Sequence, residues 1–281
     1  MRPFPVRDLM TDGMPPGVES LIHPYTGHVN EFRPIRDGKE PGLTAVLECE
    51  SGAVFVKAEP NHGWRRESLL REKLVTPLAG PLSAQLLWDA EDGEWIALGF
   101  EMLDGRPADF SPGSADLPVV RELVDEIGAV RPPQAARDWT ETRWDRFLSD
   151  QSEAELLRGD ALLHADLHQE NVIVGAGRAW VVDWGWPTRG AGFIDPASIV
   201  VQLVAAGHSP AAAESWGAGC AAWRDANPAG IDVFAAATVR MWREMADRRP
   251  DRQGRRAFAE AAEAWARHRG VTVAPQASPL A

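Results

Sequence analysis

Residues 164–171 read HADLHQEN, and the short sequence DWG begins at Asp183, twelve positions after Asn171. The two stretches supply one carboxylate at Asp166, one amide at Asn171 and a second carboxylate at Asp183. Short apolar runs, which are typical of buried strands, flank both stretches at 161–163, 171–174 and 179–182. We therefore expect a loop between strands, with Asp183 following directly after a strand, so that the three polar side chains reach one cleft.

This order of acid, amide and acid suits the transfer of a phosphoryl group. Such a transfer depends on positioning and on charge neutralisation more than on covalent help from the protein. Asp166 is expected to accept the proton of a substrate hydroxyl. Asn171 and Asp183 offer the hard oxygen ligands that Mg²⁺ prefers, and this ion binds through few protein groups together with phosphates. The pattern thus favours a site that uses ATP and Mg²⁺.

Other interpretations of the same residues stay open at this point. The two acids and the Asn could belong to an ordinary solvated loop. His164, Asp166 and His168 could instead form a zinc cluster. His164 is grouped with Asp166 as a candidate catalytic residue, although a histidine that braces the loop fits the same position.

A lysine upstream matches what a nucleotide-binding region needs. Two β-like runs at 43–49 and 53–58 predict a hairpin, and the second includes Val-Phe-Val-Lys up to Lys57. A helix pattern follows at 64–78. Lys57 resembles the lysine of the protein-kinase V-A-I-K motif, which pairs with ATP phosphates. We expect Glu67 to be its ion-pair partner because Glu67 opens the helix, with Glu72 as the second choice.

Two further segments are candidates for nucleotide contacts. Residues 36–42 contain two glycines but match neither G-x-G-x-x-G nor the Walker pattern, so they could cradle phosphates or form a plain hairpin loop. The apolar run 96–103 predicts a buried strand that leads to the connection between two lobes. There the backbone groups of Glu101 and Leu103 would bond adenine, although a strand that simply ends in a turn is equally compatible.

Together these motifs resemble those of the aminoglycoside phosphotransferase and choline kinase-like family, within the protein kinase-like superfamily. The kinase pattern H-R-D-L-x-x-x-N followed by D-F-G is matched with Ala165 in place of Arg and Trp184 in place of Phe. The resemblance covers roughly residues 29–269. It implies that Asp166 is the catalytic base, that Asn171 and Asp183 bind Mg²⁺, and that Lys57 holds the α- and β-phosphates of ATP.

The resemblance also implies a supporting acid. Asp195, in the sequence GFIDP, matches a family acid that braces the catalytic loop. The family often has a second acid four positions later, where this chain has Ile199. No A-P-E segment follows, which argues against a protein substrate.

Composition limits the classes of protein that this chain could be. No apolar run approaches the roughly 18 residues of a membrane span, and the N-terminal residues lack the apolar core of a signal peptide. Only Cys49 and Cys220 are present, which favours reduced thiols and a cytoplasmic location. The net charge of −12 argues against nucleic-acid binding. We expect a monomer or a homodimer.

The charge is unevenly distributed along the chain. Residues 105–239 carry 10 basic and 19 acidic side chains, a net −9. This region holds the catalytic loop, so its charge favours a cationic acceptor, with an acidic solvated face as the alternative. Six tryptophans lie in or near the same region and could pack in the core or line a pocket by cation–π contact: Trp139, Trp144, Trp216, Trp223, Trp242 and Trp265.

The sequence therefore predicts an α+β, bilobal, protein kinase-like fold. A nucleotide-binding lobe with a small antiparallel sheet and one helix is expected at 1–103, a mainly helical catalytic and acceptor-binding lobe at 104–270, and a disordered tail at 271–281. Four Ala-rich helices are expected at 199–206, 211–227, 231–249 and 252–269. The predicted activity is ATP- and Mg²⁺-dependent phosphate transfer to a small, hydroxylated and cationic acceptor. A nucleotide-binding pseudokinase without turnover is the alternative.

Overall fold

The structure is a computed structural model, and it describes residues 14–35, 42–50, 52–248 and 253–274. The chain divides into two compact units. The first runs up to Pro77 and includes Ala84–Leu103, whereas the second comprises Leu78–Ser83 and the chain from Asp104 onward. None of the described helices is long and apolar enough to cross a membrane.

The first unit is built on an antiparallel five-stranded sheet with the strand order β1-β2-β3-β5-β4. The strands are β1 Val29–Pro34, β2 Leu43–Cys49, β3 Gly52–Pro60, β4 Leu86–Glu91 and β5 Trp95–Glu101. Two helices accompany the sheet, α1 Pro16–Thr26 and α2 Gly63–Ala79.

Alternating side chains of the sheet form the core of this unit. Every second residue of β2 from Leu43 to Cys49 is buried, as expected for a strand with one face against a core. Helix α1 adds Val18 and Ile22 to the same cluster. The prediction of a single helix in this lobe is therefore wrong. Helix α1 has Pro16 in its first turn, where a proline needs no hydrogen-bond donor, so this proline does not exclude a helix.

The second unit combines two small sheets with helices. One sheet has the order β6-β8-β9 and the other pairs β10 with β7. The strands are β6 Arg106–Pro107, β7 Ala161–Leu163, β8 Val172–Gly175, β9 Arg178–Val181 and β10 Thr188–Gly190. The helices are α3 Leu117–Gly128, α4 Ile194–Ala205, α5 Pro210–Ala218, α6 Ala221–Arg224, α7 Pro228–Arg248 and α8 Gln253–His268. Short 3₁₀ turns are Gly80–Leu82, Gln134–Asp138, Asp145–Phe147, Gln151–Leu157 and Gln169–Asn171.

The C-terminal helices differ from their predicted bounds in two places. The helix expected at 211–227 is two helices, α5 and α6, because the chain leaves helical geometry at Cys220. Helix α4 begins at Ile194 rather than at 199, since Pro196 lies in its first turn and is tolerated there. This earlier start places Asp195 on a helix. Only residues 271–274 of the expected disordered tail lie among the described residues.

Candidate active site

Asp195 holds the backbone of the HADLHQEN loop. Its carboxylate accepts hydrogen bonds from the backbone N–H groups of His164 and Ala165, both at 2.8 Å. Asp195 is itself 4% exposed, in the first turn of α4. Burial raises the pKa of this carboxyl to about 6, although the two backbone hydrogen bonds favour the ionised form and lower it. The brace therefore responds to pH near neutrality.

The imidazole of His164 ties the loop to the end of strand β9. Its Nε2 lies 3.0 Å from the carbonyl oxygen of Val182, and its Nδ1 faces the backbone N–H of Asp166 at 3.3 Å. The side chain is fully buried and packs on the indole of Trp184, with 4.7 Å between ring centroids. Burial lowers the pKa of His164 to about 4, so the ring is neutral at pH 7, and we assign its proton to Nε2, the nitrogen that faces a carbonyl.

These contacts bear on two interpretations of His164. Because the ring is fully buried and both its nitrogens face backbone groups, it is placed to brace the loop, and its grouping with Asp166 as a catalytic residue stays a prediction. The zinc alternative is wrong. Both ring nitrogens face groups within the loop and strand, and the described residues contain no group of three or more His, Cys, Asp or Glu side chains that could hold a metal ion.

Asp166 is presented by a loop in a constrained conformation. Its side chain is exposed, whereas its backbone carbonyl accepts a hydrogen bond from Nδ2 of Asn171 at 3.0 Å. The preceding residue, Ala165, has φ +64°, a left-handed conformation that costs a non-glycine residue about 1–3 kcal/mol. Such strain persists only where surrounding contacts hold it, and here Asp195 and Asn171 supply those contacts.

Asp183 is brought beside Asn171 through its neighbour Val182. The backbone N–H of Val182 donates to the carbonyl of Asn171 at 2.9 Å, and its own carbonyl oxygen faces the His164 ring. Asp183 follows with φ +69° and a half-buried side chain. The amide N–H₂ of Asn171 donates to the carbonyl oxygen of Asp166, so its amide oxygen remains as a possible metal ligand. An amide oxygen and a carboxylate are a donor set that fits Mg²⁺.

A brace that the sequence analysis missed comes from Arg143. Its guanidinium donates to the carbonyl oxygen of Ala165 at 2.6 Å and to that of Trp186 at 3.1 Å. Glu141, 1% exposed, pairs with Arg143 at 2.9 Å and accepts from the Thr188 hydroxyl at 2.6 Å. The one sequence signal near this brace is Ala165, which stands where the kinase motif has an Arg.

The ion pair of Lys57 lies within the first unit and involves Glu72. The Lys57 ammonium donates to both carboxylate oxygens of Glu72, at 2.8 and 3.0 Å. Glu72 is 3% exposed and lies on the buried face of α2 with Leu69 and Thr76, whereas Glu67 is exposed. The prediction of Glu67 as partner is therefore wrong. Helical geometry turns Glu67 well away from Glu72, and only Glu72 lies on the buried face.

The remaining nucleotide-binding candidates are partly described. Glu101 ends strand β5, where its backbone N–H donates to the carbonyl of Gln85 at 3.0 Å and its carboxylate accepts from the Gln85 N–H at 2.8 Å. The backbone N–H of Glu101 is therefore already bonded within the protein and is not available to adenine. Leu103 is half-buried at the end of the first unit. Residues 36–41 of the phosphate-loop candidate lie outside the described residues.

A pocket opens beside the catalytic loop, within the second unit. It has a volume of about 510 Å³ and is lined by the loop from Ala165 to Glu170 and by side chains of α4, α7 and α8. Asp166 is part of the lining. Any molecule that occupies this pocket therefore lies next to the candidate base.

Comparison with known proteins places the fold. No protein-family model matches this sequence, and no curated protein matches it either. Solved structures do. A thermostable mutant of the aminoglycoside phosphotransferase APH(4)-Ia, in its apo form, has a TM-score of 0.58 and 15% sequence identity, covering 89% of this chain and 98% of its own.

Two further solved structures have a similar fold. The choline kinase LicA from Streptococcus pneumoniae has a TM-score of 0.61 at 12% identity, covering 89% of this chain and 98% of its own. The spectinomycin phosphotransferase APH(9)-Ia, in complex with ADP and spectinomycin, has a TM-score of 0.58 at 12% identity, covering 89% and 92%. The kinase-like fold expected from the sequence is thus confirmed, and this chain has the fold of aminoglycoside phosphotransferases and choline kinase.

Proposed function

We propose that this protein is an ATP- and Mg²⁺-dependent phosphotransferase that moves the γ-phosphoryl group to a hydroxyl of a small molecule. The observation that carries the proposal is that the backbone of the HADLHQEN loop is fixed by hydrogen bonds around Asp166. Asp166 is exposed at a pocket, while Asp195, Asn171 and Arg143 bond the backbone on either side of it. Solved structures with this fold hold ADP together with spectinomycin or hygromycin B, which supports a nucleotide and a small acceptor here.

The residues divide the reaction between them. Asp166 accepts the proton of the acceptor hydroxyl as the oxygen attacks the γ-phosphorus, and the bond to the bridging oxygen of ADP breaks. Asp166 then releases the proton to solvent. Asn171 and Asp183 would hold Mg²⁺, which neutralises phosphate charge when bound. Lys57, oriented by Glu72, would hold the α- and β-phosphates.

The neighbourhood of Asp166 supports its role as base. His164 is neutral and buried, so it orients the loop without competing for the acceptor proton. The ionised Asp195 bonds the backbone and faces away from solvent, so it is unsuited to proton exchange with an acceptor. Asp166 and Glu170 are the exposed acids of this loop that line the pocket, and of the two Asp166 is directly bonded through its backbone to Asn171.

The cellular setting is part of the same proposal. Cys49 and Cys220 are both free and buried, which fits a reducing compartment such as the cytoplasm. Burial raises the pKa of the Cys220 thiol to about 12, so this cysteine is inert rather than a nucleophile. Monomer or homodimer stays a prediction.

The test is acceptor-dependent release of ADP from Mg-ATP across a panel of hydroxylated small molecules. Asp166→Asn should lower kcat by roughly 10²–10⁴-fold, the usual contribution of a general base. Asp225→Asn, which changes an exposed acid outside the pocket, is the matched control and should retain wild-type turnover. Turnover that survives in Asp166→Asn would place the base elsewhere. Binding of Mg-ATP with no turnover on any acceptor would favour the pseudokinase.

A further inference from the structure

The pocket beside Asp166 has an apolar, aromatic wall. Trp242 of α7 and Phe258 of α8 stack with 4.6 Å between ring centroids and an interplanar angle of 17°. Both line the pocket, together with Met241 and with Val201 and Ala205 of α4. A molecule that fills this space meets hydrocarbon and ring faces along most of its length.

Among the described residues, the charged side chains that line the pocket belong to the HADLHQEN loop. Of the 19 acidic side chains in residues 105–239, all within the described part of the chain, Asp166 and Glu170 alone line the pocket. No Lys or Arg among the described residues lines it. Other acids of this region are paired with arginines away from the pocket: Asp116, Glu141, Asp145, Asp160, Glu214 and Asp232. Of the acidic balance that favoured a cationic acceptor, these two carboxylates are therefore the part that lines the pocket.

A few polar groups on the walls are placed by hydrogen bonds. The hydroxyl oxygen of Thr238, 3% exposed, accepts from the indole N–H of Trp144 at 3.1 Å, and its own proton can donate to a ligand. Gln202 donates its amide N–H to the carbonyl of Leu167, which leaves the amide oxygen as an acceptor. Such isolated, fixed polar groups in an apolar pocket orient a ligand rather than supply most of its affinity.

We propose that the phosphate acceptor is an alcohol with a large apolar body, either neutral or carrying one cationic group. This inference rests on the proposed function and names the substrate class of the same site. An amino sugar with several ammonium groups could pair at most two of them with Asp166 and Glu170. It would have to place the others against apolar walls such as Trp242 and Phe258 without a charged partner, which is unfavourable. A single cation could lie over the Trp242 ring or beside Glu170. The volume of about 510 Å³ suits a drug-sized molecule.

The first test is binding without nucleotide, measured by calorimetry on the full chain. Three probes are compared: a neutral macrocyclic lactone with free hydroxyls, its analogue with one tertiary amine, and an aminoglycoside with several amines. At an ionic strength of about 0.15 M, where exposed charges are screened, the lactones should bind roughly 100-fold more tightly than the aminoglycoside. Aminoglycoside binding as tight as lactone binding, or no lactone binding, would overturn the inference.

A pair of variants tests whether the probes bind in this pocket. Ala206 is exposed and lines the pocket at the end of α4, so Ala206→Asp adds a carboxylate there with little effect on folding. It should weaken neutral-lactone binding by roughly tenfold and strengthen aminoglycoside binding. Ala218→Asp, at an exposed position of α5 outside the pocket, should change neither. Equal effects of the two variants would contradict the assigned site.

Phosphate transfer to the same probes separates the two proposals. Release of ADP with a lactone, and none with the aminoglycoside, is the expected result. If lactones bind but receive no phosphate, the acceptor pocket stands and the proposed phosphotransferase fails. If the aminoglycoside is phosphorylated while lactones neither bind nor react, the phosphotransferase stands and the apolar acceptor is wrong.

Discussion

Each unit holds a buried carboxylate that pairs with a cation, and the pairs Glu72–Lys57 and Glu141–Arg143 are placed for different roles. In the first unit the side chain of Glu72 is 4% exposed and meets Lys57, which is 15% exposed. In the second, Glu141 is 1% exposed and meets Arg143, which is 37% exposed. Lys57 carries the ammonium group that the proposed function assigns to the nucleotide, whereas Arg143 extends to the carbonyl oxygen of Ala165.

The comparison shows two uses of the same interaction. The pair in the first unit orients a charge for a ligand, so its loss should appear in nucleotide binding. The pair in the second unit holds a backbone that includes Ala165 at φ +64° and lies close in sequence to Asp166. Its loss should appear in folding stability and in the chemical step. The following predictions test that distinction, in order of decreasing effect.

Arg143→Met should have the largest effect. It leaves the Glu141 carboxylate buried with the Thr188 hydroxyl and removes the bond to Ala165. We expect a loss of about 2–3 kcal/mol in the free energy of unfolding, less than for a fully buried pair because Arg143 is partly exposed. Displacement of the loop should lower kcat by roughly 10²-fold. Denaturant titration and steady-state kinetics give the two quantities.

Two controls make this prediction specific. Arg137→Met changes an exposed arginine in a neighbouring segment and should leave both quantities unchanged. The double variant Glu141→Gln, Arg143→Met should recover part of the lost stability, because no uncompensated charge stays buried. A folded Arg143→Met protein with wild-type kcat would show that the arginine does not position the loop.

Asp195→Asn should change the pH dependence of catalysis. In the wild type, protonation of Asp195 as pH falls through about 6 removes one acceptor from the loop N–H groups, so kcat/KM should fall over that range. The introduced amide does not titrate, so the variant should show no inflexion near pH 6. It should also be roughly tenfold less active at pH 7.5, because one buried backbone N–H of the loop stays unpaired. An inflexion that persists in the variant would assign it to another group.

Protonation of Asp195 should affect stability and catalysis in opposite directions, because it lowers kcat/KM but removes a cost to the folded state. Its folded pKa lies above the usual 3.8, so ionisation costs the folded state free energy. That cost is absent below pH 3.8 and complete above pH 6. Asp195→Asn removes this pH-dependent term, so the pH dependence of its unfolding free energy should be flatter than that of the wild type between these values.

Glu72→Gln should have the narrowest effect of the three, because it should be confined to the nucleotide. Loss of a hydrogen-bonded charge partner of Lys57 should lower kcat/KM for Mg-ATP by roughly tenfold, while acceptor binding measured without nucleotide stays unchanged. Glu67→Gln on the same helix is the matched control and should lie within about twofold of wild type, because its side chain is exposed. A larger effect from Glu67→Gln would restore the partner expected from the sequence.

Local pattern was sufficient for β2, β3 and the loop, whereas β4, β6 and β10 were not expected from the sequence. Strand β2 has the bounds expected from its apolar run, and β3 and α2 extend the expected segments by a few residues. Each of these segments depends on near neighbours in the chain, whose periodicity is visible in the sequence. Helix α1 escaped notice because its prolines resemble a loop in sequence, although its buried face packs in the core.

Which side chains pair with one another across helix faces was harder to predict from the sequence. Glu67 and Glu72 lie on one helix and have the same charge, and the sequence does not say which turns toward Lys57. The packing of α2 decides it, since Glu72 shares its buried face with Leu69 and Thr76. The Glu141–Arg143 brace was missed for a similar reason. Arg143 contacts Ala165 and Trp186, which are 22 and 43 residues away along the chain.

By itself, the sequence determined the candidate chemistry, because Asp166, Asn171 and Asp183 occupy one short stretch whose spacing constrains their geometry. Only the tertiary structure decided which side chains brace that stretch and what surrounds the pocket. The pocket wall is assembled from α4, α7 and α8, segments far apart in the chain, and its apolar character depends on which faces of these helices turn inward. Net charge along the chain, by contrast, sums residues most of which do not line the pocket, so it could not describe the acceptor.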